Sequence, residues 1–472
     1  MTDLDLSDIQ GLIVRGYRKD VASHLVLRID EPGGFKAVLR DLAEEDAKSG
    51  PFVTVAEDWK DKLAAWWRPP GSDGSAENAR THPGHCINIG FTFAGLQALG
   101  LEPQILDSFP EDFRCGPVAR SHLICETGPS APEHWVTSLR SDEAHVIVSV
   151  YADSHDELAA VTEDICGRAR DAAEKIEQFD AQRLNGTDVE HFGYVDGLSQ
   201  PTIEGAPRAG LKDPFPPVPA GEFILGQPAF RKNRVPDQIG VNGSYAAFRV
   251  MRQDVVAFKA FLKTESQRLG IGQELLAAKL CGRWRNGEPL AMRPANAPGA
   301  TIPYENLNTF DYESTPEFPQ GDRDGVLCPR GAHIRRAFPR SQRVVDDFDG
   351  FKRRIVRRGM PYDWELPTGH ERGIVGMFIC ASLENQFEYV MRQWLNDGLF
   401  TGGRLGRSKD PLTGANDPGD SRFVTPGTPY VETTGFPRFV TTRGCAYLFL
   451  PSRSALRHMA REGVPLAANR GH

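Results

Sequence analysis

The 472-residue sequence lacks two features that would assign it to a class directly. No apolar run approaches the roughly 18 residues that span a bilayer, so no membrane partner is expected. The eight cysteines form no CxxC pair, which argues against a structural zinc site and against a disulfide framework. We therefore expect reduced and mostly buried thiols.

The sequence also contains fewer basic than acidic residues. The 55 lysines and arginines face 63 aspartates and glutamates, which gives a formal net charge of −8 and a pI near 5.9. A negative field over the whole protein disfavours nucleic acid and anionic membrane surfaces as partners. The first ten residues are acidic and contain no apolar stretch typical of an export signal, so a cytoplasmic location is expected, with export inside a carrier or compartment as the alternative.

The remaining composition is typical of a globular protein with large buried cores, since 40% of the residues are hydrophobic and 25% are charged. Strand-like segments with alternating apolar residues are followed by amphipathic helical segments in both halves of the chain. This pattern predicts the α+β class with antiparallel sheets and a duplicated architecture. The clearest strand–helix pairs are 145–152 with 153–166, 245–251 with 254–265, 373–381 with 383–395, and 445–450 with 452–461.

Three irregular regions separate these units. The Pro-rich residues 206–220 are interpreted as the linker between two domains, residues 1–215 and 216–472. Residues 286–330 and 398–437 are too long for simple connections, so we predict that they cover a site.

Residues 328–340 contain the first candidate functional side chains. His333 follows a Pro/Gly break and is itself followed by Arg335, Arg336 and Arg340. Imidazole is the usual protein ligand of a haem iron, and arginine binds carboxylates such as the haem propionates. The same pattern also fits an ordinary packing or surface histidine, which is the commoner case for a single histidine.

Two further segments place charged side chains in unusual settings. Asp196 lies between Gly193 and Gly197, and glycines allow backbone angles and close approaches that other residues avoid. Lys352 to Arg358 contains five basic side chains in seven positions. An ordinary Asp-Gly turn also explains the first segment, and a solvated cationic face or an anion-binding patch explains the second.

Together, these segments resemble the hallmarks of the dye-decolorizing peroxidases. Asp196 matches the aspartate of a GxxDG motif, His333 a histidine in an HxRxxNPR-like segment, and Arg357 an arginine shortly before a Pro-Tyr or Pro-Phe pair. Further segments similar to family landmarks lie at 8–11, 90–100, 221–226 and 384–388. The resemblance extends over most of the chain, and the length is that of the larger forms of the family.

The resemblance implies two ferredoxin-like α+β domains and one haem b, which would be held non-covalently because the chain has no CxxCH sequence. The haem would lie chiefly in the C-terminal domain, with the loop of Asp196 over its distal face. His333 would bind the iron through Nε2. Asp196 would move a proton of hydrogen peroxide, and Arg357 would stabilise the developing negative charge, with Arg358 as the alternative if the register shifts by one.

A peroxidase of this kind also implies a carboxylate behind the iron ligand. The second ring nitrogen of His333 should donate to it, which gives the imidazole more anionic character. From the spacing after the strand at 374–380 we predict Glu384, with Glu388 as the second choice. An ordinary charged helix residue is the alternative for either position.

Other residues would hold the haem itself. Arg335 and Arg340 are candidates for binding its carboxylates, with Arg340 preferred, although a surface role also fits them; Arg357 is a further candidate. Gly197 would let the haem approach the backbone closely. Phe338 departs from the family pattern, because an asparagine that can form a hydrogen bond is usual at that position.

Bulky reductants cannot enter a small pocket, and the family is thought to pass electrons through aromatic residues near the surface. Tyr362, Tyr389 and Trp394 are candidates for such relays. At helical spacing, Tyr389 and Trp394 are more readily explained as core residues.

The expected function is therefore that of a haem peroxidase acting on hydrogen peroxide and on bulky aromatic reductants, dye-like or phenolic. A haem carrier or sensor of the same fold, with little turnover, is the alternative. Asp196 together with Arg357 favours the enzyme, because storage needs neither a proton shuttle nor a group that stabilises an oxyanion. The oligomeric state is left open.

Overall fold

The structure is a computed structural model that describes residues 4–44, 52–58, 84–207, 211–294, 301–319, 321–342, 350–367, 369–398, 408–425 and 431–461. Its strands are β1 (Val21–Ile29), β2 (His85–Phe91), β3 (Val146–Ala152), β4 (Ala173–Gln182), β5 (Ser244–Gln253), β6 (Val356–Leu366), β7 (Gly369–Cys380), β8 (Arg422–Thr425), β9 (Val431–Thr434) and β10 (Val440–Leu450). Its α-helices are α1 (Gly11–Val14), α2 (Pro32–Ala43), α3 (Phe93–Ala98), α4 (Pro103–Ser108), α5 (Glu111–Ala119), α6 (Thr137–Arg140), α7 (His155–Ala169), α8 (Val255–Leu269), α9 (Gln273–Cys281), α10 (His333–Ala337) and α11 (Arg453–Met459). Two consecutive π-helical segments cover Leu383–Glu388 and Val390–Leu395.

Eight of the strands form one sheet in the order β4-β1-β3-β2-β10-β5-β7-β6, and all neighbouring pairs are antiparallel. Each half of the chain contributes four adjacent strands of this sheet. Numbered within its own half, each set has the order 4-1-3-2, with helices after its first and third strands. This βαββαβ arrangement confirms the prediction of two duplicated ferredoxin-like units with antiparallel sheets.

The two halves join into a single curved sheet. Phe91 of β2 pairs with Phe449 of β10 at the centre. The two edge strands also approach each other, because Trp364 Nε1 on β6 donates to the carbonyl of Asp180 on β4 at 2.7 Å. The concave face buries an apolar cluster supplied by both halves, which includes Val26, Ile147, Phe179, Phe248, Met360, Tyr362 and Leu448. The sheet therefore curves around one shared interior.

Local sequence explains where several helices begin. Ser154 Oγ accepts a hydrogen bond from Glu157 N at 3.2 Å and so caps the N-terminus of α7. Asp254 and Ser452 cap α8 and α11 in the same way, through the amides of residues 257 and 455. Acidic residues in the first turn of α7 also interact favourably with the helix dipole.

The basic run at 352–362 is the main departure from the expected pattern. A solvated face or an anion patch was one explanation of this run, and the structure places its second part, with Arg357 and Arg358, in the edge strand β6 (Val356–Leu366). Val356, Met360 and Tyr362 share one face of the strand and are buried. Arg358 lies on that same face, and Arg357 lies on the other. The clustered charges hid this period-two pattern, and the same is true of the charged strand β4.

Residues 211–220 of the Pro-rich segment pack against the second half rather than extending into solvent. The ring of Phe215 lies 6.0 Å from that of Phe338 and 4.9 Å from that of Phe351. Val218 bridges to Ile203. The division into residues 1–215 and 216–472 stays a prediction.

All eight cysteines lie in described ranges, and none forms a disulfide there. Cys86, Cys281, Cys328, Cys380 and Cys445 are buried, so the expectation of mostly buried thiols is confirmed. Within the described residues, no helix is both long and apolar enough to cross a membrane.

Candidate active site

His333 is the first residue of α10, directly after the Pro/Gly break. Its Nδ1 lies 2.8 Å from Oδ2 of Asp410. Burial lowers the pKa of His333, but the charge of Asp410 and this hydrogen bond outweigh burial and raise the pKa above its usual value. Because Nδ1 faces a carboxylate, Nδ1 carries the proton and Nε2 is the nitrogen left for a ligand.

Asp410 is fully buried and tightly held. Its Oδ1 accepts hydrogen bonds from Leu412 N at 2.9 Å and Thr413 N at 2.8 Å, and its own amide donates to the carbonyl of Leu395 at 2.7 Å. Burial raises the pKa of Asp410, but the neighbouring His333 outweighs burial and holds it below the usual value. The carboxylate therefore stays ionised and fixes the plane of the imidazole.

The predicted partners of His333, Glu384 and Glu388, are wrong. Glu384 has a largely exposed carboxylate, 4.0 Å from Arg120 Nη2. Glu388 accepts two hydrogen bonds from Arg120, at 2.7 and 2.6 Å, and one from the hydroxyl of Tyr447 at 2.9 Å. The spacing along the π-helical segments turns both glutamates toward the N-terminal half, whereas Asp410 reaches His333 from a loop 77 residues downstream.

His333 borders a cavity, here called the inner cavity, together with Asp196 and Arg357. A second, outer cavity adjoins it and shares five of its wall residues, namely Glu190, Asp196, Gly197, Leu198 and Arg357. Both long irregular segments supply walls. Leu412 and Thr413 line the inner cavity, and Tyr304 and Asn308 line the outer one.

The loop of Asp196 has a backbone that requires its glycines. Gly193 and Gly197 have φ angles of +95° and +78°, and a side chain at Gly193 would collide with Arg285. The amide of Asp196 donates to the carbonyl of Asp188 at 2.7 Å, and its Oδ1 accepts from Gly197 N at 2.6 Å. The side chain of Asp196 is exposed to the cavities.

Glu190 holds this loop together, a role that the sequence did not reveal. Its carboxylate accepts hydrogen bonds from Phe192 N and Tyr194 N, both at 2.8 Å, and from Gln253 Nε2 at the end of β5. Burial raises its pKa, the three hydrogen bonds oppose that rise, and the charge of Asp196 adds to it. The contact with Gln253 links the loop to the C-terminal half.

Arg357 and Arg358 follow each other on β6 but face different surroundings. The backbone of Arg357 is held by Gln200, whose amide accepts from its N–H and donates to its carbonyl, both at 3.0 Å. Burial lowers the pKa of Arg357, and Asp196 opposes that change. Arg358 instead donates to the carbonyl of Leu12 at 2.8 Å, and it borders only the outer cavity.

Arg335 does not face the cavity, so its prediction as a haem-carboxylate ligand is wrong. Its Nε donates to Gln342, its Nη1 to Asp322 and to the carbonyl of Cys328, and its Nη2 to the carbonyls of Asp322 and Arg323. The side chain is fully buried. Its donors are occupied because the helical turn from His333 points Arg335 back into the loop before α10.

Arg340 is buried, and its Nε and Nη2 donate no hydrogen bond to a described residue. Its Nη1 donates to the carbonyls of Asn308 and Phe310 at 3.0 and 2.6 Å. Its guanidinium lies 3.5 Å from the centroid of the Phe310 ring. No other hydrogen bond joins it to a residue in the described ranges. Its role toward a haem carboxylate stays a prediction.

Tyr362, one of the candidate relays, is fully buried. Its ring stacks on that of half-buried Trp364 at 3.7 Å, so Trp364 is the nearer of the two to solvent. Trp394 is buried in the core, and half-buried Tyr389 lies 3.7 Å from the guanidinium of Arg353. Both positions agree with the prediction that Tyr389 and Trp394 are packing residues.

The residues around the inner cavity fit a haem. They offer one imidazole with a buried carboxylate behind it, which is the usual support of a haem ligand. Apolar side chains, among them Met251, Ile374 and Val440, form much of the wall. In the part of the chain that the structure describes, no group of three or more His, Cys, Asp or Glu residues is placed to hold a bare metal ion.

Comparisons with known proteins point the same way. A family model described as the DyP dimeric alpha+beta barrel domain matches residues 8–183. The dye-decolorizing peroxidase AauDyP1 of Auricularia auricula-judae is 27% identical over 481 residues, which cover 96% of this chain and 87% of that protein. The dye-decolorizing peroxidase msp1 of Mycetinis scorodonius is 26% identical over 493 residues, with the same coverage of 96% and 87%.

The structural comparison covers almost the entire chain. The solved structure of an ancestral D-type dye decolorizing peroxidase has a TM-score of 0.80 and 25% identity, and the match covers 98% of this chain and all of that one. The likeness thus includes both halves of the sheet and the segments that carry Asp196, His333 and Arg357. The matched family model, the relatives and the solved structure all identify a peroxidase of the dye-decolorizing type.

Proposed function

We propose that this chain is a haem peroxidase that reduces hydrogen peroxide and oxidises bulky aromatic reductants, dye-like or phenolic. The observation that carries the proposal is that His333, backed by Asp410, borders the same cavity as Asp196 and Arg357. A haem carrier or sensor would use the imidazole but neither of the other two groups. Their position therefore supports turnover.

The proposed cofactor is one haem b, bound non-covalently with Nε2 of His333 as the iron ligand. Arg340 and Arg357 are the proposed partners of its carboxylates. Gly197 borders both cavities without a side chain, which leaves room for a flat group. We also infer that residues 216–472 hold most of the haem and that residues 1–215 supply the loop of Asp196.

When bound, haem would supply the iron at which the O–O bond of peroxide is cleaved. Asp196 takes a proton from one peroxide oxygen and returns it to the other, so that the second oxygen leaves as water. Arg357 stabilises the negative charge that develops during this transfer. Asp410 accepts the hydrogen bond of His333 Nδ1 and so increases the electron donation of the imidazole.

The test is to load the purified chain with haemin and to add one equivalent of hydrogen peroxide. We expect a Soret band, a rapid spectral change with peroxide, and oxidation of an aromatic dye. Asp196→Asn and Arg357→Leu should keep the Soret band and react with peroxide at least a hundredfold more slowly, whereas His333→Ala should lose the band or bind haem loosely.

Glu384→Gln is the control, because this carboxylate is largely exposed and does not contact His333. A normal Soret band without any response to peroxide would favour the carrier or sensor. A cytoplasmic location stays a prediction, which fractionation of the native host would test.

A further inference from the structure

Arg354, which was not a candidate from the sequence, is a buried cation beside the inner cavity. It is 5% exposed. Its Nη2 donates to the carbonyl of Ser199 at 3.3 Å, and no described carboxylate forms an ion pair with it. Ser199 is itself part of the inner cavity wall. A buried charge without a partner is costly, so this position favours an anion.

The neighbours of Arg354 increase the surplus of positive charge. Burial lowers the pKa of Arg354 to about 9; Asp213 opposes this change, and Arg357 and Arg340 add to it. Arg340 is likewise buried, and burial lowers its pKa. Arg357 and Arg340 therefore both act on Arg354 as like charges, and Asp213 makes no ion pair with any of the three among the described contacts.

Phe338 fixes the position of Arg354. The guanidinium of Arg354 lies 3.8 Å from the centroid of the Phe338 ring, which is a close cation–π contact. Phe338 is held in turn by edge contacts with Phe215 and Phe351, at 6.0 and 5.5 Å between ring centroids. It also lines the inner cavity. A flat aromatic face thus stands where the family pattern has an asparagine.

We propose that Arg354, held against the ring of Phe338, binds a carboxylate of the haem. This inference rests on the proposed function, since it requires haem in the inner cavity. Haem carries two carboxylates, and a planar guanidinium binds a carboxylate through two parallel hydrogen bonds. In this chain a stacking contact with Phe338 positions the arginine, in place of the hydrogen bond that an asparagine would offer.

The experiment measures the affinity of the haem-free protein for haemin and for haemin dimethyl ester, whose carboxylates are blocked. Arg354→Leu should weaken haemin binding by about 10- to 100-fold, the loss expected for one charge-assisted contact. It should leave the affinity for the diester nearly unchanged. Arg354→Lys, which keeps the charge, should recover part of the haemin affinity.

Arg353→Leu is the matched control. Arg353 is also buried and also stacks on an aromatic ring, that of Tyr389, and it donates to the carbonyl of Asn385. Neither of these partners is part of the inner cavity wall, whereas both partners of Arg354, Ser199 and Phe338, are. This variant should affect both porphyrins equally. Equal losses for haemin and diester in Arg354→Leu, or no loss for either, would overturn the proposal.

Phe338→Leu provides a second test, which also applies if Arg354→Leu does not fold. It removes the aromatic face but keeps an apolar side chain, and it should weaken haemin binding about two- to fivefold while sparing the diester. An unchanged haemin affinity would contradict the role of Phe338. If the wild-type protein binds neither porphyrin, the proposed function itself fails, which is a different result from equal losses in the variant.

Discussion

His333 and Asp410 lie 77 residues apart in the sequence, and the Nδ1 and Oδ2 atoms of their side chains are 2.8 Å apart. Asp410 is fully buried and receives two backbone hydrogen bonds, so it holds the imidazole in one orientation. The consequence is a histidine that borders the inner cavity with Nε2 left for a ligand and whose basicity is increased by a fixed carboxylate.

Asp410→Asn is the first prediction. The asparagine Oδ1 can still accept the amides of Leu412 and Thr413, but its Nδ2 then faces His333 Nδ1 and, being a donor, cannot accept the imidazole proton. The imidazole then donates less electron density, so the reduction potential of the bound haem should rise and its reaction with peroxide should slow about tenfold. Spectroelectrochemistry and stopped-flow kinetics measure the two effects. An unchanged potential would contradict the role of Asp410.

Substitution of Arg357 should lower the rate with peroxide, whereas substitution of Arg358 should lower stability. The contrast also tests which of the two arginines is the distal one. Arg357→Leu should lower the rate with peroxide by about 10²- to 10³-fold and leave stability nearly unchanged. Arg358→Leu should lower the free energy of unfolding by about 1–3 kcal/mol, because the carbonyl of Leu12 loses a buried donor.

Urea unfolding of the haem-free protein and stopped-flow kinetics of the loaded protein separate these outcomes. A larger kinetic loss in Arg358→Leu than in Arg357→Leu would mean that the roles are exchanged.

Trp364→Phe tests the path of electrons to a bulky reductant. Trp364 is half-buried and stacks at 3.7 Å on Tyr362, which shares β6 with Arg357. Phenylalanine keeps the shape but is not readily oxidised, so kcat for a bulky dye should fall about tenfold or more while the rate with peroxide stays the same.

Trp135→Phe is the control for this variant, because both indoles donate to a backbone carbonyl at 2.7 Å and lose that bond on substitution. Equal effects of the two substitutions on dye oxidation would show that Trp364 acts through stability alone.

Asp363 should contribute to stability in a pH-dependent way. Its carboxylate accepts hydrogen bonds from His370 and Arg372, both at 2.8 Å. Burial raises the pKa of Asp363, but Arg372 and His370 outweigh burial and hold it below the usual value. The stabilisation is therefore present above the unfolded pKa, near pH 4, and is lost as the pH falls through the lower folded pKa.

Asp363→Asn should lower the free energy of unfolding by about 0.5–1 kcal/mol at pH 7, and the difference from the wild type should shrink below pH 4. Urea unfolding of the haem-free protein across this range measures it. Asp107→Asn, at a carboxylate that is 75% exposed, is the control and should show no such trend. A difference that grows toward low pH would contradict the sign.

Much of the fold was predictable because its signals are local. β3 and β5 are runs rich in apolar residues, and Ser154 stands directly before the acidic first turn of α7. β4 and β6 were missed because charged residues dominate both strands and conceal the alternation. Three of the site residues, Asp196, His333 and Arg357, were identified from residue types and short motifs.

The sequence alone determined the class of the fold, its duplication and the three residues that border the inner cavity. Only the tertiary structure decided which side chains support them. It replaced Glu384 by Asp410, turned Arg335 into the interior, and placed Arg354 against Phe338. The physical reason is that these contacts join residues far apart in the chain, so they depend on how the loops pack rather than on spacing or periodicity.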